Sequence, residues 1–190
     1  MAANVSKPPR VVSALMAVVM CMLLTAIASP PEVDCQALSP WTNFPHPPQV
    51  NQMHIFCGEW ANNTPKGFHS RPGGINPSTV GQFTLSQPPN AQGIYGGQWT
   101  YRGRPRSEKF STMFPDTCSM LTVLNSIVHA INHQAPCPTN APAWAVCGPN
   151  RPHPVFPGAG PFCDATDGTV FTIAMGLLAN RYVNTAFPLR

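Results

Sequence analysis

Charge is scarce in this chain. Only 9% of its 190 residues are Asp, Glu, Lys or Arg, too few for a solvated helix bundle or a charged disordered tail. Several motifs are also missing. The sequence has no Cys-x-x-Cys pair, and its closest spacing in the C-terminal half, Cys137 to Cys147, is too wide for half of a zinc knuckle. It has no Gly-x-Ser-x-Gly elbow for a serine hydrolase and no Gly-x-x-x-x-Gly-Lys loop to cradle a nucleotide. Past residue 28 it has no apolar run long enough to cross a bilayer.

Proline and cysteine are plentiful: 24 prolines and seven cysteines describe a loop-rich domain held by cross-links. The N-terminus reads as a secretory leader over residues 1–28. Lys7 and Arg10 precede the apolar run Val11 to Leu24, and Ala26-Ile27-Ala28 forms a small-x-small cleavage site. An uncleaved anchor is the competing reading. Cleavage removes Cys21 and leaves Cys35, Cys57, Cys118, Cys137, Cys147 and Cys163. That even set predicts up to three disulfides in a secreted, extracellular protein, with connectivity left open by sequence alone. Of the 11 basic residues, Lys7 and Arg10 fall in the leader, so nine remain against seven acidic ones. Their distribution says more than their total. Arg102, Arg104, Arg106 and Lys109 cluster within eight residues, opposed only by Glu108, and such a patch attracts phosphates or is simply a solvated loop.

Residues 29–50 read as a Pro-rich arm tied down at Cys35, and residues 51–190 as one domain. Within that domain "MHIFCGEW" offers a short strand or helix end, and "ANNTPKG" a turn whose Asn62-Asn63-Thr64 is a glycan acceptor in a eukaryote. Residues 71–92 read as a long loop. Strands are expected over 93–102, with a bulge at Gly96-Gly97, and over 109–115. From Thr117 to His133 the apolar residues Met120, Val123, Leu124, Ile127, Val128 and Ile131 keep helical spacing, with Asp116 and Thr117 as candidate caps. His129 and His133, at i and i+4, fall opposite that stripe and read as surface residues rather than metal ligands. Residues 134–168 form an irregular excursion, followed by a hairpin of two strands, 169–178 and 181–189. The fold class is α+β: a small twisted antiparallel sheet with a main amphipathic helix packed on it, stabilised by disulfides.

The stretch "HIFCGEWANNTPKGFHSRPGG", residues 54–74, carries His54 and His69. Two histidines, a lysine and a hydroxyl residue are enough to cleave RNA. One imidazole takes the proton of a ribose 2′-hydroxyl, the other protonates the leaving 5′-oxygen, and a cation offsets the charge that builds on phosphorus. Spacing alone makes this a weak signal in a chain with six histidines.

Read in order, "HIFCGE", "KGFHSRPGG", "GIYGGQW", "KFSTMFP" before an amphipathic helix, and "VNTAFPL" near the end of the chain resemble the blocks of bacterial EndoU-type endoribonuclease toxins. The resemblance spans residues 53–189. It implies an EndoU-like fold with His54 and His69 as the proton-transfer pair, Lys109 as the phosphate-stabilising cation, Thr185 as the hydroxyl that places base or phosphate, and Phe187 as a base-stacking ring. Arg71, Arg102 and Arg104 are the further substrate contacts expected. The implied reaction cuts RNA at pyrimidines, often uridine, and leaves a 2′,3′-cyclic phosphate. No cofactor is required, with manganese as an optional helper. RNA is the implied partner, joined in a toxin by a cognate inhibitor or immunity protein, with no stable membrane association after leader cleavage. Two features depart from the family pattern: Phe187 stands where many members have Tyr, and Cys57 and the 134–168 insertion add cysteines. The alternative is a secreted interaction or effector module that keeps the scaffold without catalysis.

Overall fold

The computed structural model describes residues 1, 32–45, 48–154 and 160–190. Apart from residue 1, the expected leader lies outside them. The described residues form a small α+β fold of short antiparallel sheets and one α-helix. A hairpin comes first, β1 (Glu59–Ala61) with β2 (Thr64–Lys66). Asn62 and Asn63 turn it with φ of 53° and 57°, the left-handed pair that a two-residue hairpin turn requires and that Asn tolerates.

A three-stranded sheet follows in the order β3 (Val80–Gln87), β4 (Tyr95–Tyr101), β5 (Glu108–Met113). β3 corrects the expected long loop over 71–92. It is an edge strand whose residues, apart from Val80 and Phe83, are exposed, so it lacks the alternation that marks a strand in sequence. The irregularity expected at Gly96-Gly97 is found opposite them, in a register shift between Leu85 and Gln87.

Helix α1 (Met120–Asn132) packs on a second three-stranded sheet, β6 (Val146–Pro149), β7 (Thr172–Leu177), β8 (Val183–Pro188). The expected single sheet is thus two sheets and a hairpin. Ser119 caps the helix through Thr122 N at 3.2 Å, and Asp116, one of the two expected caps, pairs instead with Arg71. β6 lies inside the excursion read as irregular. It is only four residues long, and a Cβ on Gly148 would lie 2.1 Å from the Ala130 carbonyl, so glycine lets the helix settle directly on this strand.

The six cysteines pair as Cys35–Cys57, Cys118–Cys163 and Cys137–Cys147. The first bond ties the N-terminal arm to the domain, and Val50 then bridges to Val183, the first residue of β8. The arm has no regular element, yet it buries Val33, Cys35 and Val50 in the main core with Ile55, Phe56, Phe114, Ile127, Ile173 and Met175. A second, aromatic core gathers Phe68, Val80, Tyr95, Trp99 and Met113. Oxidised protein beginning at residue 29 is therefore expected to show no reactive thiol on titration under denaturing, non-reducing conditions. Two or more thiols would contradict the three bonds. Replacing the Cys118–Cys163 pair should cost about 2–5 kcal/mol of stability.

Candidate active site

The two histidines sit where the two cores meet. His54 lies on a single π-helical turn, Met53–Cys57, whose Ile55 and Phe56 enter the main core. His69 follows Phe68, which is fully buried in the aromatic core against Trp99 at 5.2 Å. Direct backbone bonds join the two segments: Phe68 N donates to His54 O and His69 N to Ile55 O, each at 2.7 Å. Such closeness depends on Gly67, since a Cβ there would lie 2.0 Å from the His54 carbonyl. Phe68 itself is held at φ 57°, a left-handed backbone that a bulky side chain adopts only when its surroundings over-determine it. Here the buried ring supplies that constraint and so fixes where His69 begins.

Each imidazole is oriented through Nδ1. That of His69 lies 3.0 Å from the Thr112 carbonyl; a carbonyl only accepts, so Nδ1 carries the hydrogen and the neutral ring presents an unprotonated Nε2. That of His54 lies 3.3 Å from Glu59 Oε2, and Asn51 secures this arrangement by accepting from His54 N at 3.0 Å and donating to Glu59 Oε1 at 3.4 Å. The hydrogen bond from His54 holds the Glu59 carboxyl below the ordinary carboxylate range, against the opposing effect of its burial. His69 is held well below the ordinary imidazole range, first by burial, then by the charges of Lys109 and His54, and only partly offset by its bond to Thr112.

Lys109 belongs to the same cluster. Its Nζ donates to Ser111 Oγ at 2.8 Å and to the Gly67 and Phe110 carbonyls at 3.1 Å. Ser111 in turn accepts from Trp99 Nε1 at 3.0 Å and donates to Gly67 O at 3.1 Å. The lysine is thereby fastened to the glycine that seats His54. Burial, and secondarily the charge of Lys66, pushes its pKa down to about 8. Thr185 and Phe187, two apart on β8, share one strand face. Phe187 stacks on His69 with ring centroids 5.2 Å apart and planes 29° from parallel.

The three arginines expected at the substrate are placed differently. The Arg71 guanidinium is taken up by Asp116 at 3.0 Å and by Tyr95 Oη and Asn76 Oδ1 at 3.2 Å, and lies 4.5 Å over the Phe83 ring. It lines a separate recess with Leu85 and Pro115. Arg102 donates to the Ser78 carbonyl, and Arg104 stands 5.4 Å over the Trp60 ring. Both belong to the exposed turn between β4 and β5, the turn that leads into Lys109.

Two residues at the cluster went unmarked in the sequence reading, Glu59 and Trp144. Glu59 left one trace, an acid five positions after His54 inside "HIFCGEW". Trp144 left none. For manganese the fit is poor: among the described residues no group of three or more His, Cys, Asp or Glu is placed to hold a metal ion. The carboxylate that meets His54, that of Glu59, is committed to His54 and Asn51. His129 and His133 stack on each other at 4.0 Å beside a recess of about 520 Å³ also lined by Phe44, Val128 and Phe162. His133 is exposed as expected, whereas His129 is half-buried against Phe162.

Two imidazoles and an ammonium gathered at one place, with a stacking ring beside them, make up the chemistry a nuclease needs to break a phosphodiester. The sequence profile of the bacterial EndoU nucleases matches residues 48–190, and the chain belongs to that family. No curated protein and no solved structure matches it.

Proposed function

We propose that the protein is a secreted endoribonuclease that cuts RNA by attack of a ribose 2′-oxygen on the adjacent phosphorus. The observation that carries this reading is the joining of His54, His69 and Lys109 at one turn, through the backbone bonds of Phe68 and His69 to the His54 segment and the bond of Lys109 to the Gly67 carbonyl. His69 is the base, because a depressed pKa keeps it neutral near pH 7 and Nδ1–H···O=C leaves Nε2 free to accept. It takes the 2′-hydroxyl proton as the O2′–P bond forms. His54, its Nδ1 fixed by ionised Glu59, delivers a proton from Nε2 to the 5′-oxygen as the P–O5′ bond breaks. The products are a 2′,3′-cyclic phosphate and a free 5′-hydroxyl. Lys109 offsets charge on the phosphoryl oxygens. Its bond to the Phe110 carbonyl is the more solvent-exposed of its contacts and is the one a phosphate oxygen would replace. Thr185 contacts the base or phosphate from β8.

Three disulfides suit an oxidising compartment, and no described helix is long and apolar enough to cross a membrane. Secretion and a toxin or effector role, with an inhibitor as partner, complete the reading. The test is incubation of protein beginning at residue 29 with defined RNA oligonucleotides, with and without manganese. A product ending in a 2′,3′-cyclic phosphate is expected. A 5′-phosphate product would overturn the mechanism, and intact RNA would favour the non-catalytic module.

The exposed arginines should act on affinity. In the Arg102→Ala, Arg104→Ala double variant, RNA binding weakens and its logarithmic salt slope falls by roughly one unit per lost phosphate contact. Binding titrations from low to moderate salt measure this, and an unchanged slope would place the arginines away from RNA.

A further inference from the structure

Trp144 is the large apolar side chain most out of place near the site, with 60% of its surface exposed. It is held there by construction. The loop that carries it is closed by Cys137–Cys147, tightened by Ala141 N to Pro138 O at 3.0 Å and Ala145 N to Pro142 O at 2.9 Å, and tethered by Asn140 Nδ2 to Arg190 O at 3.0 Å. The indole lies over Gly176 of β7, where an added Cβ would meet its Cζ3 at 3.0 Å and Thr185 Cγ2 at 2.9 Å. It meets the Phe187 ring at 6.1 Å and 67°. His69, Phe187 and Trp144 therefore form one continuous aromatic row beside Thr185. Phe187 is half-buried between His69 and Trp144, so the most exposed ring of that row is the indole.

We propose that the exposed face of Trp144 is a stacking platform for an unpaired nucleobase of the RNA, adjacent to the phosphate held at His54, His69 and Lys109. The assignment rests on the RNA-cleaving reading of that cluster and adds a substrate requirement to it. A base can reach an indole beside the reacting phosphate only if it is unstacked from its neighbours, so the preferred RNA is single-stranded there. Stacking tolerates every base, so the platform gives affinity while identity is read elsewhere.

The experiment compares wild type, Trp144→Ala and Trp144→Phe on two probes. The first is a cleavable single-stranded oligonucleotide with one uridine, together with versions in which one flanking nucleotide at a time is abasic. The second is the same RNA with a 2′-deoxy residue at the cleavage position, used for binding by fluorescence anisotropy. Trp144→Ala should raise KM and weaken binding by about 5- to 100-fold, with a smaller change in kcat, and Trp144→Phe should recover most of the loss. The loss should vanish on the RNA that is abasic at the stacked position. Equal KM and binding in wild type and Trp144→Ala, or a loss that persists on every abasic RNA, overturns the platform while cleavage stands. Binding that depends on Trp144 without any cleavage overturns the catalytic reading and keeps the platform. A wild type that neither binds nor cuts overturns both.

Discussion

His69→Ala lowers turnover on a single-stranded RNA by about 10²–10⁴-fold, the usual contribution of one general base, while the fold survives. The fold should survive because His69 is held mainly by one side-chain bond, to Thr112, and the main-chain bonds on either side of it involve His69 N and O, which alanine retains. His54→Ala should lose a similar factor. The two losses need not add, since residues that act in one step are strongly coupled. Steady-state cleavage, with circular dichroism to verify the fold, measures the effect. Near-wild-type cleavage by His69→Ala would end the acid–base reading and favour the non-catalytic module. Glu59→Gln gives a gentler control: Nδ1 keeps an acceptor but loses the ionised partner, so His54 stays in place while proton delivery weakens.

Where local signals and tertiary contacts agreed, the sequence was readable. α1 announced itself because its apolar residues are also its core residues, Val123, Leu124, Ile127 and Ile131 among them. Its start was misplaced because Asp116 has a better use than capping: it meets the Arg71 guanidinium and the Tyr95 hydroxyl, partners that only the fold brings near. β4, β5, β7 and β8 were visible through their β-branched and aromatic content. β3 and β6 were not, one being an exposed edge and the other four residues long with a glycine that admits the helix. For the candidate site, His54, His69, Lys109, Thr185 and Phe187 were proposed from ordered blocks of sequence, and the fold brings His54, His69, Lys109 and Phe187 into one neighbourhood. The contacts that orient them could not be read there. The tautomer of His69 is set by Thr112, 43 residues away, and the neighbours of Trp144 come from β7 and β8. Pairings of this kind leave no periodic trace.

Lys109→Ala should lose about 10²–10³-fold in kcat, the range seen when one preorganised donor to developing charge is removed. The sharper test is the pH profile. Two groups of the cluster have shifted pKa values in opposite regimes of use. His69, depressed from the ordinary imidazole value by its burial and by the charge of Lys109, must be neutral to act as base, so the rate climbs as pH rises through its lowered pKa, below the ordinary imidazole range. Lys109 must be charged, and with its pKa pushed down to about 8 the rate falls as pH rises through that value. The His69 and Lys109 steps both therefore fall on the acid side of where the free groups would place them, within a bell that also needs the acid's imidazole protonated. Lys109→Arg separates the assignments, because a guanidinium stays charged throughout this range. In that variant the fall near pH 8 that comes from Lys109 should move upward, even if the maximal rate drops because the longer side chain fits poorly among Gly67, Phe110 and Ser111. A fall near pH 8 that stays in place would leave Lys109 as a residue that holds the Gly67 turn rather than one that meets the phosphate.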